Sequence, residues 1–130
     1  MKIKQIRIKN FRSYSDQVCV DIKDLTAFVG KNDAGKSTIL EALDIFFNDN
    51  RAINKIDVDD INCDRLNIND TNIRIDVIFQ NLPESLIIDE SNETNLNSEY
   101  LLDKNKNLHI FKIYDLFNKN MTCHVFYICV

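Results

Sequence analysis

Eight consecutive residues carry the clearest chemistry in the chain: Gly30-Lys31-Asn32-Asp33-Ala34-Gly35-Lys36-Ser37, followed by Thr38. Their spacing is G-x-x-x-x-G-K-[ST], the Walker A pattern of a loop that wraps a phosphate. A polyphosphate needs many donors converging on its oxygens, and successive backbone N–H groups pointing inward supply them. Gly30 and Gly35 permit backbone angles and a close approach that a Cβ would block. They are the only two glycines in the chain of 130 residues. Asn32 and Asp33 fall where a positive φ is expected, which Asn and Asp tolerate best among residues with side chains. Ala34 contributes a further loop N–H. Lys36 is expected to reach the β- and γ-phosphates, and the Ser37 hydroxyl to ligate Mg²⁺. Thr38 is expected to help hold the α-phosphate through its N–H or hydroxyl.

Such a loop works only between a strand and a helix. The apolar run Leu25–Val29 predicts a strand covered on both faces, as in a parallel or mixed α/β sheet. Residues 37–47 predict a helix whose apolar face is Ile39, Leu40, Leu43, Phe46 and Phe47. Its N-terminus aims a positive dipole and free N–H groups at the anion. Around this core the pattern predicts strands over 2–9, 18–22, 73–79, 108–114 and 121–129. Ile6 and Ile8 share a face on the first strand, and Ile3 is out of phase with them, which calls for a bulge. Ile73, Ile75, Val77 and Phe79 alternate with polar residues as in a half-buried strand, which Pro83 closes. Residues 51–70 read as a polar linker, and 89–107 as an Asn-rich loop too long for a simple turn. The chain therefore reads as one partial domain over 1–130: strands, loop and helix in 1–50, the linker 51–70, and a strand-rich remainder 71–130.

Composition narrows the class. Sixteen basic and twenty acidic side chains give a net charge of −4, which argues against a wholesale nucleic-acid coat. No run approaches the ~18 apolar residues of a membrane span, and no signal peptide is visible. Cys19, Cys63, Cys123 and Cys129 are scattered without a C-x-x-C pair and read as reduced thiols of a cytoplasmic protein.

Several competing patterns are weaker. Asn54-Lys55-Ile56-Asp57 spells the guanine-reading N-K-x-D, but it follows a polar stretch, and no glycine after Gly35 can form the D-x-x-G switch. Leu86-Ile87-Ile88-Asp89-Glu90 resembles a Walker B strand, yet three apolar residues make a poor central strand, and the segment reads as the edge of a loop. Asp57, Asp59, Asp60 and Asp64 fit no calcium-loop spacing and read as a solvated linker. His109, Cys123, His124 and Cys129 lack zinc spacing. Lys2, Lys4, Arg7, Lys9 and Arg12 could form a DNA-facing stripe, or an edge strand protected by lysines.

Met1–Asn48 resembles the opening of the RecF/SMC/OLD group of ABC-type ATPases. The carrying residues are Ile8-Lys9-Asn10-Phe11-Arg12-Ser13, then Leu25-Thr26-Ala27-Phe28-Val29-Gly30-Lys31-Asn32. The loop Asp33-Ala34-Gly35-Lys36-Ser37-Thr38 and the helix Ile39-Leu40-Glu41-Ala42-Leu43 complete them. Within that group the wording of the loop and the strand Ile73–Phe79 are most similar to the OLD-type ATP-dependent endonucleases, which include anti-phage defence proteins of the Gabija kind. The match is specific over the first 48 residues and loose over the rest. The resemblance implies an α/β fold: the N-terminal lobe of a P-loop ABC-type ATPase, with a mixed β-sheet packed on the P-loop helix and additional antiparallel strands. It implies ATP and Mg²⁺ as cofactors, and DNA cleavage or repair as the task of the complete protein, which would act as a homodimer. It also implies a place for Arg12 beside the nucleotide, where a guanidinium can grip phosphate; a solvated arginine after a strand is the alternative.

The chain departs from the family in lacking a signature loop, a credible Walker B strand, a switch histidine and a Toprim nuclease domain. No residue here is assigned a catalytic role. The sequence stops on Phe126-Tyr127-Ile128-Cys129-Val130 inside an apparent strand, so the natural protein is expected to continue. The alternative function is a non-catalytic fragment that binds nucleotide or dimerises without hydrolysis.

Overall fold

The computed structural model describes residues 1–31, 35–48, 55–89, 92–94, 101–117 and 122–127. Strand β1 spans Lys2–Lys9 and β2 Val18–Asp21. Helix α1 spans Lys36–Asn48, and a 3₁₀ turn at Val58–Asp60 precedes the short helix α2, Cys63–Leu66. The strands β3 (Asn72–Gln80), β4 (Leu86–Asp89), β5 (Asn92–Thr94), β6 (Leu108–Asp115) and β7 (Thr122–Tyr127) follow.

Five strands form one sheet in the order β2-β1-β3-β6-β7, and every neighbouring pair is antiparallel. The class is α/β, compatible with a P-loop ATPase lobe. The expected irregularity at the start of β1 is present, because the register against β3 shifts between Ile3 and Gln5. One face carries Ile6, Ile8, Ile73, Ile75, Val77, Phe79, Leu108 and Tyr114 into the core, where Ile39, Ala42, Ile45 and Phe46 of α1 meet them. Lys112 sits on this face among the apolar residues. Its ammonium donates to the Phe46 carbonyl at 2.7 Å, placing a cation at the negative end of the helix.

On the second face, polar pairing buries the middle of β3. Asp76 is only 1% exposed. It accepts from Arg74 Nε and an Arg74 terminal nitrogen at 2.8 Å each, with His109 Nε2 at 2.7 Å. Arg74 lies 4.0 Å over the Phe111 ring, and Phe111 stacks on Phe126. Strand β3 is thus covered on both sides, where its alternation predicts burial on one.

Three further expectations are corrected. Leu25–Val29 is not a strand: Leu25 is 90% and Val29 87% exposed. An apolar run becomes an inner strand only when neighbours pair with it and layers cover it, and the described sheet closes its order without it. Within α1, Leu40 and Phe47 face outward while Thr38, Ala42 and Ile45 are buried. With apolar residues around so much of the helix, the packing partners choose the face. The Walker-B-like segment is a strand rather than a loop edge, but among the described residues β4 pairs with β5 in a separate two-stranded sheet, so the Asn-rich stretch contains β5. Residues Glu90, Ile128, Cys129 and Val130 lie outside the described residues.

Candidate functional site

The loop closes onto the start of α1. Gly30 has φ 150° and Gly35 φ 79°, both in the region that L side chains avoid. The Lys36 ammonium donates to the carbonyl oxygens of Gly30 and Lys31, folding back over the beginning of the loop. The Gly35 carbonyl accepts the first helical bond, from Ile39 N–H at 3.3 Å. The first turn of α1 contains no acidic residue, so the positive pole of the helix is not answered by its own sequence. Ser37 is exposed beside it, whereas Thr38 is buried on the inner side. The structure therefore brings Gly30, Gly35, Lys36 and Ser37 together and turns the Thr38 side chain toward the core. Asn32, Asp33 and Ala34 lie outside the described residues.

A turn from another part of the chain leans on this loop. After β1, Asn10 and Arg12 take φ 57° and 51°, and Phe11 and Tyr14 exchange backbone hydrogen bonds at 3.0 Å. Phe11 is fully buried. The Tyr14 hydroxyl donates to the Gly35 carbonyl at 3.1 Å. Arg12 is neither solvated nor free: its Nε donates to Asp60 Oδ1 at 2.8 Å, and a terminal nitrogen pairs with Glu41 of α1. Burial works to lower the Arg12 pKa, but the hydrogen bonds and charges of Asp60 and Glu41 outweigh it and hold it above its ordinary value. The guanidinium thus ties the turn to the phosphate-loop helix and to the 3₁₀ turn at once.

The described part of the polar stretch after α1 is an ordered strap rather than a solvated connection. Ile56 and Ile61 enter the core. Asp57 caps the 3₁₀ turn in a reciprocal arrangement with Asp60, and Asn62 caps α2 by accepting from Asp64 N–H at 3.1 Å. Asn62 also donates from Nδ2 to the Arg12 carbonyl at 2.7 Å, and from its backbone N–H to Asn10 Oδ1 at 3.2 Å. Asn10, fully buried, spends its amide on the carbonyls of Asp70 and Asn72. Asp57 and Asp60 are therefore capping and pairing groups. In the N-K-x-D look-alike Ile56 is core and Asp57 a cap, while Asn54 lies outside the described residues.

Two of the basic residues of β1 have partners: Lys2 pairs with Asp24 at 2.6 Å, and Arg7 donates to Gln5 at 2.6 Å. A cleft of about 700 Å³, lined by Lys4, Gln80, Asn81, Pro83, Asn105 and Lys106 among others, opens at the other end of β1 and β3 and shares no residue with the phosphate loop. Sequence reasoning missed Asn10, Tyr14, Glu41 and Asn62. The one signal for Tyr14 was indirect: in a chain so poor in glycine, a glycine at 35 marks a close approach, without saying by what.

Residues 1–128 match the model of the AAA ATPase domain family. The chain is 49% identical over 43 residues to the DNA replication and repair protein RecF of Lactococcus lactis subsp. cremoris, covering 33% of this chain and 12% of that protein. It is 45% identical over 47 residues to the OLD nuclease of Thermus scotoductus, 36% of this chain and 9% of the nuclease. The DNA double-strand break repair Rad50 ATPase of Archaeoglobus fulgidus matches at 44% over 45 residues, 35% of this chain and 5% of that protein. The matched stretch is thus about an eighth or less of these relatives. No helix among the described residues is long and apolar enough to cross a membrane.

Proposed function

We propose, for a chain that belongs to the AAA ATPase domain family, that it is a nucleotide-binding lobe that grips Mg-ATP through Gly30–Thr38. The observation that carries this reading is the loop itself: two glycines at positive φ, with Lys36 folded over the loop start at the head of an acid-free helix turn. The residues suit a polyphosphate. Gly35 takes a φ of 79° that L side chains avoid, the Lys36 cation lies within reach of the loop, and Ser37 offers an exposed hydroxyl. Ser37 would hold Mg²⁺, which would neutralise phosphate charge. The chain's own part is to orient the phosphates with loop N–H groups, and to replace the Gly30 and Lys31 carbonyls by phosphate oxygens as partners of Lys36. Arg12, already committed to Asp60 and Glu41, keeps its charge close to the loop through Glu41's helix.

Within the complete protein we assign the lobe to an OLD- or RecF-like ATPase acting on DNA by cleavage or repair, as a cytoplasmic homodimer, with anti-phage defence as one such role. The test is a Mg-ATP titration of the chain beside Lys36→Ala. Loss of about two orders of magnitude in affinity is expected, since a charge-assisted phosphate contact and the loop closure both go; equal binding by both proteins would sink the reading.

A second reading is favoured by one observation. The Asp-terminated strand β4 pairs with β5 outside the main sheet, so a Walker B role is not offered there. The lobe would then bind nucleotide without hydrolysing it. Steady phosphate release by the pure chain, abolished by Lys36→Ala, excludes that reading.

A further inference from the structure

Tyr14 stands outside the Walker A pattern, yet its hydroxyl reaches the Gly35 carbonyl at 3.1 Å. A Cβ at Gly35 would lie 2.5 Å from the Tyr14 oxygen and 2.9 Å from its Cζ, so the phenol fills the space that the glycine leaves. Ser13 closes the same spot, with Oγ at 3.3 Å from that position. A peptide unit is planar, with its C=O and N–H pointing in opposite directions. Holding the Gly35 carbonyl on the Tyr14 side turns the Lys36 N–H away from Tyr14, as one of the unbonded donors at the head of α1. Those donors are what an anion at a helix start would use.

Tyr14 is well placed to impose this orientation because it does not itself drift. Its N–H and C=O are both bonded to Phe11, whose ring is fully buried in the core. The intervening Arg12 is bound through its backbone N–H to the Asp60 carbonyl at 2.7 Å and through its side chain to Asp60 and Glu41. The hydroxyl is delivered to the loop from the one part of the turn that the core and the strap both fix.

We propose that Tyr14 is a positioning residue for the phosphate loop: its hydroxyl sets the Gly35–Lys36 peptide so that the donors at the head of α1 are aimed before a phosphate arrives. The proposal rests on the nucleotide-binding reading for its effect on affinity, but not for its effect on the loop. The test uses the 130-residue chain carrying Tyr14→Phe, which keeps the ring and removes the donor. Amide hydrogen exchange without nucleotide should become about fivefold faster at Ile39, whose N–H is bonded to the same Gly35 carbonyl, the scale of one neutral hydrogen bond, with exchange in β3 unchanged. Mg-ATP affinity should fall by a similar factor. Unchanged exchange at Ile39 overturns the proposal, as does unchanged affinity when the parent chain binds. Faster exchange in β3 as well as at Ile39 also overturns it, because the tyrosine would then be holding the whole fold. A parent chain that binds no Mg-ATP removes the nucleotide reading alone; faster exchange at Ile39 without a change in β3 would still uphold the role of Tyr14.

Discussion

The two limbs of the phosphate loop are held in different ways. At the Gly35 limb, the backbone is clamped between the Tyr14 hydroxyl and the first bond of α1, and the turn that carries Tyr14 is tied to the core and the strap. At the Gly30 limb, the preceding run is exposed at Leu25 and Val29, with local bonds between Lys23 and Thr26 and Phe28 packed against the core. What joins this limb to the rest of the loop is the motif's own lysine, through the Gly30 and Lys31 carbonyls. One limb is held by residues far away in sequence; the other is joined through the lysine proposed to bind phosphate. The two ends of one motif can thus be held by different means.

The contrast can be broken most severely at Gly35. Gly35→Ala places a Cβ on Tyr14 and an L residue at φ 79°, costing about 1–3 kcal/mol of stability. Mg-ATP affinity should drop about a hundredfold by titration, because the donors at the helix head move together. Asn10→Ala should cost about 2–3 kcal/mol in a denaturant melt, since it strips partners from the buried Asn62 N–H and from two carbonyls. Arg12→Ala should cost about 1–2 kcal/mol, because its half-exposed pairs with Asp60 and Glu41 are partly screened. Its effect on the loop should show as faster hydrogen exchange near Gly35 and none near Lys23–Thr26.

Acid sharpens the comparison from the far end of the sheet. Burial works to raise the Asp103 carboxyl pKa, but hydrogen bonds from Asn107 and Asn105 and the charge of Lys4 hold it below the ordinary value. A depressed carboxylate contributes stability above its unfolded pKa and loses it as pH falls through the folded one. Asp103→Asn should therefore flatten the acid limb of the stability curve below about pH 4 and leave Mg-ATP binding untouched. Smallest of all, Leu25→Ser should shift stability by no more than about 0.5 kcal/mol, whereas a paired inner strand would lose several times that.

The loop, α1, β1 with its bulge, and β3 were legible because each rests on local spacing: two glycines and a lysine, a 3.6-residue period, a two-residue alternation. The strand expected at Leu25–Val29 was not real in the described structure, because hydrophobicity names a wish for cover and not the neighbours that provide it. The same limit moved the inner face of α1 from Leu40 and Phe47 to Thr38, Ala42 and Ile45. The hold on the Gly35 limb left one local trace, the glycine at 35, which does not name the residues that approach it. Arg12 meets Asp60 and Glu41, and Asn10 meets Asn62 and Asn72, across dozens of residues, and no periodicity joins such partners.

The pairing of β1 with β3 also sets an order in time. A chain grows from its N-terminus, so Gly30–Thr38 leaves the ribosome before Asn72–Gln80 does. Until then β1 has only β2 beside it, and a lone two-stranded hairpin is marginal in water. Asn10 must likewise wait for the Asp70 and Asn72 carbonyls. The phosphate loop is therefore synthesised ahead of β3, yet the Asn10–Tyr14 turn that steadies it is locked only when β3 docks.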